Sequence, residues 1–301
     1  MTGSIWVVGS INMDLIATTE RIPSPGETVL GDRFFQAHGG KGANQAVAAA
    51  RSGAKVVLVG SVGNDGFGEA CIRSFEAEEI DTSRIQTHES LSTGVALITV
   101  DDSGENCIVV APGANASLDA ERVRDGLTGL EPASVCVCQL ETPLDGVREA
   151  LSFASSAGVT TILNPAPAAD LDDEIYATLD CLTPNESETE ILTGIRPTDQ
   201  QSAETAGTRL LDKGVSCVIV TLGRDGAVLV DGDGSLHHPA PEVTAVDTTA
   251  AGDTFTGWLA SRVALGDTFR DALPTAIAAA SLAVTREGAQ PSIPTAAEVL
   301  H

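Results

Sequence analysis

The chain has 301 residues, of which 43% are hydrophobic and 3% aromatic, enough apolar material for the core of one large α/β domain. Its 42 acidic residues against 17 basic ones give a formal net charge of −25, and such a surface repels nucleic acids and anionic membranes. Because there is no signal-peptide pattern, no membrane-spanning apolar run and no C-x-x-C pair, we expect a cytoplasmic protein with neither a zinc site nor a disulfide framework.

The acidic residues are scattered along the chain, and Lys41, Lys55 and Lys213 are its lysines. A scattered acidic surface with so little lysine suits a cytoplasm of very high salt, where screening removes the self-repulsion. We therefore predict a halophilic source. The alternative is an ordinary acidic protein.

The first part of the chain mixes strand and helix patterns. Apolar runs and turn signals predict strands at 4–9, 14–20, 27–36, 55–60, 94–100 and 106–110, and helices at 42–52 and 67–77. The turn Ile22-Pro-Ser-Pro-Gly26 separates two of these strands, and Asp101-Asp-Ser-Gly104 is typical of a hairpin.

From about residue 120 the two patterns alternate, which predicts a mostly parallel sheet flanked by helices. The expected strands are at 134–139, 159–163, 179–182, 215–220 and 226–230, and the expected helices at 145–157, 186–193, 200–213, 251–265, 268–286 and 295–300. Two β-rich stretches, 12–38 and 85–111, interrupt this α/β core of 1–11, 39–84 and 112–301. We interpret them as a small projecting sheet that acts as a lid and packs on substrate, on the core or on a second copy.

The segment Asp247-Thr-Thr-Ala-Ala-Gly-Asp-Thr-Phe255 runs directly into an apolar helix. Its small Ala-Ala-Gly turn leaves backbone N–H groups free at a helix N-terminus, where they attract an anion. The carboxylate of Asp253 lies in the same turn and can take a proton from a hydroxyl. Together these features indicate a phosphoryl-transfer centre; the alternative is an Asp that only caps the helix.

A second glycine-rich segment, His38-Gly-Gly-Lys-Gly-Ala-Asn-Gln45, also precedes a helix. It has neither the Walker A spacing nor the G-x-G-x-x-G spacing. Its glycines let a small polar ligand approach the backbone, and Asn44 can both donate to and accept from hydroxyls. The alternative is a tight turn that leads into a helix.

Polar residues follow several predicted strands, and open α/β sheets bind ligands at the carboxyl ends of their strands. Asn12, Asp14 and Glu141 suit a polyhydroxylated substrate, whereas Asn185 and Glu188 could orient a hydrated Mg²⁺ near phosphates. The loop Val220-Thr-Leu-Gly-Arg-Asp-Gly226 could contact a nucleotide. Each loop alone could be a simple turn or helix cap, but their meeting at one sheet edge favours one composite site.

At these residues the chain resembles the ribokinase/PfkB family of carbohydrate kinases, nearly from end to end. The motifs that carry the resemblance are Gly9-Ser-Ile-Asn-Met-Asp14, Gly39-Gly-Lys-Gly-Ala-Asn44, Ser92-Thr-Gly-Val-Ala-Leu97, Ala111-Pro-Gly-Ala-Asn115, Asn164-Pro-Ala-Pro-Ala168, Thr183-Pro-Asn-Glu186, Asp247-Thr-Thr-Ala-Ala-Gly-Asp253 and Gly288-Ala-Gln-Pro-Ser292. The resemblance implies transfer of the ATP γ-phosphate to the 5-hydroxyl of D-ribose.

By motif position the resemblance also implies residue roles. Asp253 would be the general base, and the anion hole would come from the amides around Ala250, Ala251 and Gly252. The sugar would be held by Asn12, Asp14, Gly40, Lys41, Gly42, Asn44, Glu141 and Asp253. ATP would contact Asn185, Thr221, Gly223, Gly226 and Gly252, with Glu188 supporting Mg²⁺. A monovalent cation, typically K⁺, would lie near Asp247, Thr249, Ala283, Arg286, Gly288 and Ser292.

In this family the lid often forms the dimer contact, which predicts a homodimer through the lid. Ile277 stands where the family often has Asn or His near the adenine, so the nucleotide preference stays open; Thr249 stands where Ile is common. Other acceptors, such as deoxyribose, a fructose-type sugar or adenosine, also stay open. A non-catalytic sugar-binding protein on the same scaffold is the remaining alternative, and the intact Asp253 argues against it.

Overall fold

A computed structural model describes residues 3–300 of the chain. Its strands, in chain order, are β1 (Ile5–Val8), β2 (Asn12–Thr19), β3 (Arg33–Gly39), β4 (Val56–Gly63), β5 (Ile85–His88), β6 (Gly94–Asp101), β7 (Asn106–Ala111), β8 (Val135–Cys138), β9 (Thr160–Leu163), β10 (Cys181–Leu182), β11 (Cys217–Thr221), β12 (Ala227–Asp231) and β13 (Gly234–His238). Its α-helices are α1 (Lys41–Arg51), α2 (Gly66–Ala77), α3 (Ala120–Gly126), α4 (Leu144–Ser156), α5 (Asp173–Tyr176), α6 (Glu186–Thr193), α7 (Gln200–Leu211), α8 (Ala251–Ala264), α9 (Phe269–Ala283) and α10 (Ala296–Val299).

The large sheet has nine strands in the order β13-β12-β11-β10-β9-β8-β1-β4-β5. The pairs from β11 to β5 are parallel, and β12 and β13 join antiparallel at one end. The predicted mostly parallel sheet flanked by helices is therefore confirmed. Because crossover helices cover both faces of such a sheet, its inner strands such as β1, β8 and β10 are fully buried, whereas β5 and β13 at its two ends are not.

The residues of the inner strand β1 pack alternately against the two faces of the large sheet. All four of its residues are buried. Ile5 and Val7 pack in the cluster that includes α1, α8 and α9, whereas Trp6 and Val8 pack in the cluster that includes α4 and α7. A strand that alternates its side chains between two apolar layers must be apolar throughout.

A second, separate sheet has four strands in the order β3-β2-β6-β7. Strands β2 and β6 pair in parallel, and β3 and β7 flank them antiparallel. We call this sheet the lid. Every residue of its edge strand β7 is exposed.

Two expectations at the lid differ from the structure. The predicted lid segment begins at residue 85, but Ile85–His88 pairs in parallel with Gly60–Gly63 at the edge of the large sheet. The predicted strand at 27–36 begins at Arg33. Glu27 still belongs to the preceding turn, because its N–H donates to Ser24 O at 2.9 Å and its carboxylate pairs with Arg21.

Candidate active site

The N-termini of α1, α6 and α8 meet around one cavity of about 330 Å³. Its lining includes Lys41, Asn185, Glu188, Thr221, Ala251 and Asp253. The lining also includes Asn164, so residues from five of the predicted segments meet at one cavity, and the first and last of them lie more than two hundred positions apart in sequence.

The turn into α8 is strained and open. Ala250 has φ 60° and ψ 11°, a left-handed conformation that residues with a Cβ rarely adopt, and no side chain caps the helix. The N–H of Ala251 donates to Thr248 O at 3.2 Å. Among the described residues no acceptor contacts the N–H groups of Gly252 and Asp253. These two donors point to where an anion can bind at the helix N-terminus.

The carboxylate of Asp253 is buried and held by two amides. Asn44 Nδ2 donates to its Oδ2 at 3.0 Å, and Gln45 Nε2 donates to its Oδ1 at 2.9 Å. Burial raises the pKa of Asp253, and the Lys41 ammonium and the two amides offset that rise only in part. A carboxyl with a raised pKa beside an anion site is suited to general-base work.

Lys41 lies between the acidic groups of the site. Burial lowers the pKa of its ammonium, but Asp253, Glu141 and Glu188 together raise it above the usual value. The side chain therefore stays charged and supplies a positive charge at the cavity wall. Such a charge favours a phosphate there.

Of the predicted sugar-binding residues, Lys41 and Asp253 line this cavity, and the others lie outside its lining. Ser10 Oγ donates to Glu141 Oε2 at 2.6 Å, and Lys41 N–H donates to the same oxygen at 3.0 Å. Burial and the charge of Glu141 raise the pKa of Asp14 to about 6. A Cβ on Gly39 would lie 2.2 Å from Asp14 Oδ2, so a larger residue there would displace the Asp14 carboxylate.

Asn12 is buried and its side chain is fixed by Asn115, a residue to which the sequence motifs assign no role in the site. Asn115 Nδ2 donates to Asn12 Oδ1 at 2.8 Å and to Ile11 O at 3.0 Å, and its Oδ1 accepts from Ile11 N at 2.9 Å. Through these three hydrogen bonds Asn115 holds Ile11 and Asn12, which connect β1 to the lid strand β2. We call this set of hydrogen bonds the Asn115 bracket. Gly94 packs against this bracket, since a Cβ there would lie 2.3 Å from both amide side chains.

Asn185 and Glu188 form a capping box at the start of α6. Glu188 N–H donates to Asn185 Oδ1 at 2.9 Å, and Glu188 Oε2 accepts from Asn185 N at 2.9 Å. The two residues therefore cap the helix, as one interpretation of the sequence predicts, and both also line the cavity. Burial raises the pKa of Glu188.

The loop between β11 and β12 brings Thr221 to the cavity wall, whereas Gly223 and Gly226 lie outside that lining. Both glycines have positive φ, 51° and 90°. A Cβ on Gly226 would lie 2.0 Å from His238 O, so the turn depends on glycine there. Ile277 is buried in the apolar core.

The predicted cation-binding residues come from two segments that Asp247 joins, 247–249 in the loop before α8 and 283–292 at the end of α9 and in the loop after it. Its carboxylate accepts from Thr249 N–H at 2.8 Å and Oγ1 at 2.6 Å, and from Gly288 N–H at 2.8 Å. Burial raises the pKa of Asp247, but these hydrogen bonds outweigh burial and leave the pKa below its usual value. Arg286 pairs with Glu298, and Ser292 Oγ donates to Ala289 O.

No group of three or more His, Cys, Asp and Glu side chains that could hold a metal ion occurs in residues 3–300. Over the same residues no helix has the length and apolar character needed to cross a membrane.

Comparison with known proteins agrees with this geometry. The model of the pfkB family carbohydrate kinase matches residues 2–296. The chain belongs to the pfkB family of carbohydrate kinases.

Among its pfkB relatives is a ribokinase of Haemophilus influenzae, 44% identical over 301 residues, which cover 100% of this chain and 98% of the relative. The crystal structure of a Thermotoga maritima ribokinase superposes with a TM-score of 0.90 at 38% identity, covering 99% and 98% of the two chains. The structure of an Arabidopsis thaliana ribokinase complexed with ribose and ATP gives 0.89 at 30% identity, covering 100% and 98%.

Proposed function

We propose that the protein transfers the γ-phosphate of ATP to D-ribose and forms D-ribose 5-phosphate. The observation that carries this proposal is the buried Asp253 beside the unpaired N–H groups at the start of α8. The similarity to ribokinases over the whole chain supports the choice of sugar and nucleotide.

In the proposed reaction Asp253 accepts the proton of the 5-hydroxyl as its oxygen attacks the γ-phosphorus. The bond to the leaving ADP oxygen breaks as the new bond forms. The N–H groups of Gly252 and Asp253 and the ammonium of Lys41 stabilise the charge on the transferring phosphoryl group. The turn at Ala250 and Ala251 places the helix N-terminus for this task.

We assign the sugar to the space between the lid and α1. Asp14 and Glu141 would accept hydrogen bonds from its hydroxyls, and Asn12 and Asn44 can donate or accept. The backbone at Gly40 and Gly42 lets the sugar approach closely. Gly40 itself has φ 89°, and a Cβ there would lie 2.8 Å from Asn12 N.

We assign ATP to the cavity, with Asn185, Thr221 and Gly252 along its phosphates and Gly223 and Gly226 in the adjoining turn. Magnesium would reduce the negative charge of the phosphates. Both Glu188 oxygens already accept from Asn185, at 2.9 and 3.0 Å, so Glu188 fits a role through bound water better than direct ligation.

We also propose a K⁺ site in the loops joined by Asp247, formed largely by backbone carbonyls of Thr249, Ala283, Arg286, Gly288 and Ser292. The positive charge of the bound K⁺ would hold the turn at Ala250 in place. The acidic surface favours a salt-rich cytoplasm of a halophile, in which abundant K⁺ would keep such a site filled by mass action.

We propose that the lid closes over the sugar and forms a homodimer contact. Phe34, Leu97 and Val109 lie on one lid face by strand register and are 64%, 50% and 60% exposed. Burial of these side chains against a second lid would remove an apolar patch from water. Sedimentation of Leu97→Glu should show a shift towards monomer, whereas unchanged sedimentation would place the dimer contact elsewhere.

The acceptor is tested by ATP-dependent ADP release in high KCl with Mg²⁺, across ribose, deoxyribose, fructose, adenosine and no sugar. We expect a clear preference for ribose. Turnover with another acceptor alone would keep the kinase and overturn the ribose assignment. Folded protein without turnover on any acceptor would favour a sugar-binding role.

A further inference from the structure

Gln45 lies directly behind Asp253 and is fully buried, and it is not part of the cavity lining. Its Nε2 donates to Asp253 Oδ1 at 2.9 Å and to Asn164 Oδ1 at 3.2 Å. Its Oε1 accepts from Gln139 Nε2 at 2.7 Å. Gln45 therefore acts on a ligand in the cavity only through the groups that it orients.

The ionised carboxylate fixes the direction of this chain of amides. A carboxylate only accepts hydrogen bonds, so Gln45 must turn its Nε2 towards Asp253 and its Oε1 towards Gln139. Gln139 must then present its own Nε2. Its Oε1 is left buried without a donor among the described residues. It lies so close to Gly9 that a Cβ there would approach it to 1.9 Å.

The close packing at Gly9 limits movement of Gln139, and Gln139 in turn limits rotation of the Gln45 amide. Asn164, which accepts from Gln45, is itself held by a bond from its Nδ2 to Thr183 O at 3.1 Å. Two fixed groups thus orient the amide that contacts Asp253. Buried networks of this kind hold a carboxylate in one rotamer.

We propose that Gln45, anchored by Gln139, is a positioning residue that aims the Asp253 carboxylate at the acceptor hydroxyl and favours its ionised form. This inference rests on the proposed role of Asp253 as the base. The charged groups that face Asp253 are Lys41 from α1, Glu141 after β8 and Glu188 from α6. Burial and the two glutamates oppose ionisation of Asp253, whereas Lys41 and the amide donors of Asn44 and Gln45 favour it.

The test compares Gln45→Met, which keeps the length but removes the donor, with the isosteric Gln45→Glu and with Gln139→Met. Loss of a hydrogen bond to a charged group predicts a fall in kcat of roughly 10- to 100-fold for Gln45→Met. The KM for ribose should stay close to wild type. Gln139→Met should show a smaller fall of the same kind.

The pH profile separates positioning from a merely structural role. Without the Gln45 donor the Asp253 pKa rises. The acid limb of the profile of kcat against pH should therefore move to higher pH in Gln45→Met. It should move at least as far in Gln45→Glu, because a second carboxylate opposes ionisation. Gln86→Met is the matched control: Gln86 Nε2 donates to Arg122 O at 3.3 Å, away from the site.

Wild-type kcat and an unshifted acid limb in both Gln45 variants would overturn the proposal. Thermal unfolding identifies a variant that does not fold, in which case Gln45→Glu and Gln139→Met decide the question. The proposed function fails separately, either when wild-type protein does not use ribose or when Asp253→Asn keeps full turnover. If wild-type protein uses another acceptor, the same variants are assayed with that acceptor.

Discussion

Asn44 Nδ2 donates a hydrogen bond to Asp253 Oδ2 at 3.0 Å across 209 positions of sequence. The bond joins the first turn of α1 to the first turn of α8, so the two glycine-rich segments form one site. A residue assigned to the sugar thus directly contacts the residue assigned as base. A change at Asn44 is therefore expected to affect both sugar binding and proton transfer, whereas a change at Asp253 should act mainly on proton transfer.

Replacing Asp14 by Asn should stabilise the protein at neutral and higher pH. Burial and Glu141 raise the pKa of Asp14 from 3.8 to about 6 in the folded state, so its ionised form is less favourable there than in the unfolded chain. This cost is fully present above pH 6 and disappears as the pH falls to the unfolded value near 4. Thermal unfolding at fixed KCl should give Asp14→Asn the higher Tm at pH 8, with a difference that narrows towards pH 4. A constant difference across that range would contradict the assigned cause.

Gly94→Ala should weaken sugar binding while the protein remains folded. The added Cβ would lie 2.3 Å from both Asn115 Nδ2 and Asn12 Oδ1, so the bracket that fixes Asn12 must shift. We expect the KM for ribose to rise roughly tenfold or more, the cost of displacing one or two hydrogen bonds. Gly66→Ala is the control, because a Cβ there meets nothing within 4 Å. An unchanged KM in Gly94→Ala would exclude the bracket from sugar binding.

Arg51→Met should lower the free energy of unfolding by about 2–3 kcal/mol, because it removes charged donors from partly buried partners. Arg51 Nη1 donates to Gln290 O at 2.6 Å and to Ile293 O at 2.8 Å, and the guanidinium also pairs with Glu78. Urea unfolding measures the loss. Arg73→Met removes an exposed ion pair with Glu69 and should have little effect. Equal losses in the two variants would mean that Arg51 does not tie the C-terminal segment to α1.

Activity should be higher in KCl than in tetramethylammonium chloride at the same ionic strength. Screening of the acidic surface is then equal, so the difference reports specific K⁺ binding. Asp247→Asn should reduce this difference, because an amide cannot accept all three hydrogen bonds that join the two loops. Equal rates of wild-type protein in the two salts would leave only a general salt effect.

Local signals account for most elements that the sequence predicts. The helix α8 was expected at 251–265 and runs from Ala251 to Ala264, since a small turn precedes a long apolar run. Strand β13 was not predicted, because Gly234–His238 contains one large apolar residue and pairs through a two-residue turn with β12. The short α3, Ala120–Gly126, was missed because four of its seven residues are charged.

Long-range partners were the part of the site that the sequence could not reveal. Asn115 lies 104 positions from Ile11, and Gln45 lies 208 positions from Asp253. Motif residues such as Asp253 and Asn44 could be identified because their neighbours in sequence form the turn that carries them. A bracket or a buried amide has no such local signal, and it depends on how α1, β8 and the lid pack together.

The most direct test of the account is the rate of phosphoryl transfer to ribose by Asp253→Asn in a single turnover. Ribose binding, measured by calorimetry, should stay close to wild type, because the substitution keeps the shape of the side chain. The rate should fall by roughly 10²- to 10⁴-fold, the usual contribution of a general base. A rate close to wild type in folded, ribose-binding protein would contradict the assignment of Asp253 as the base.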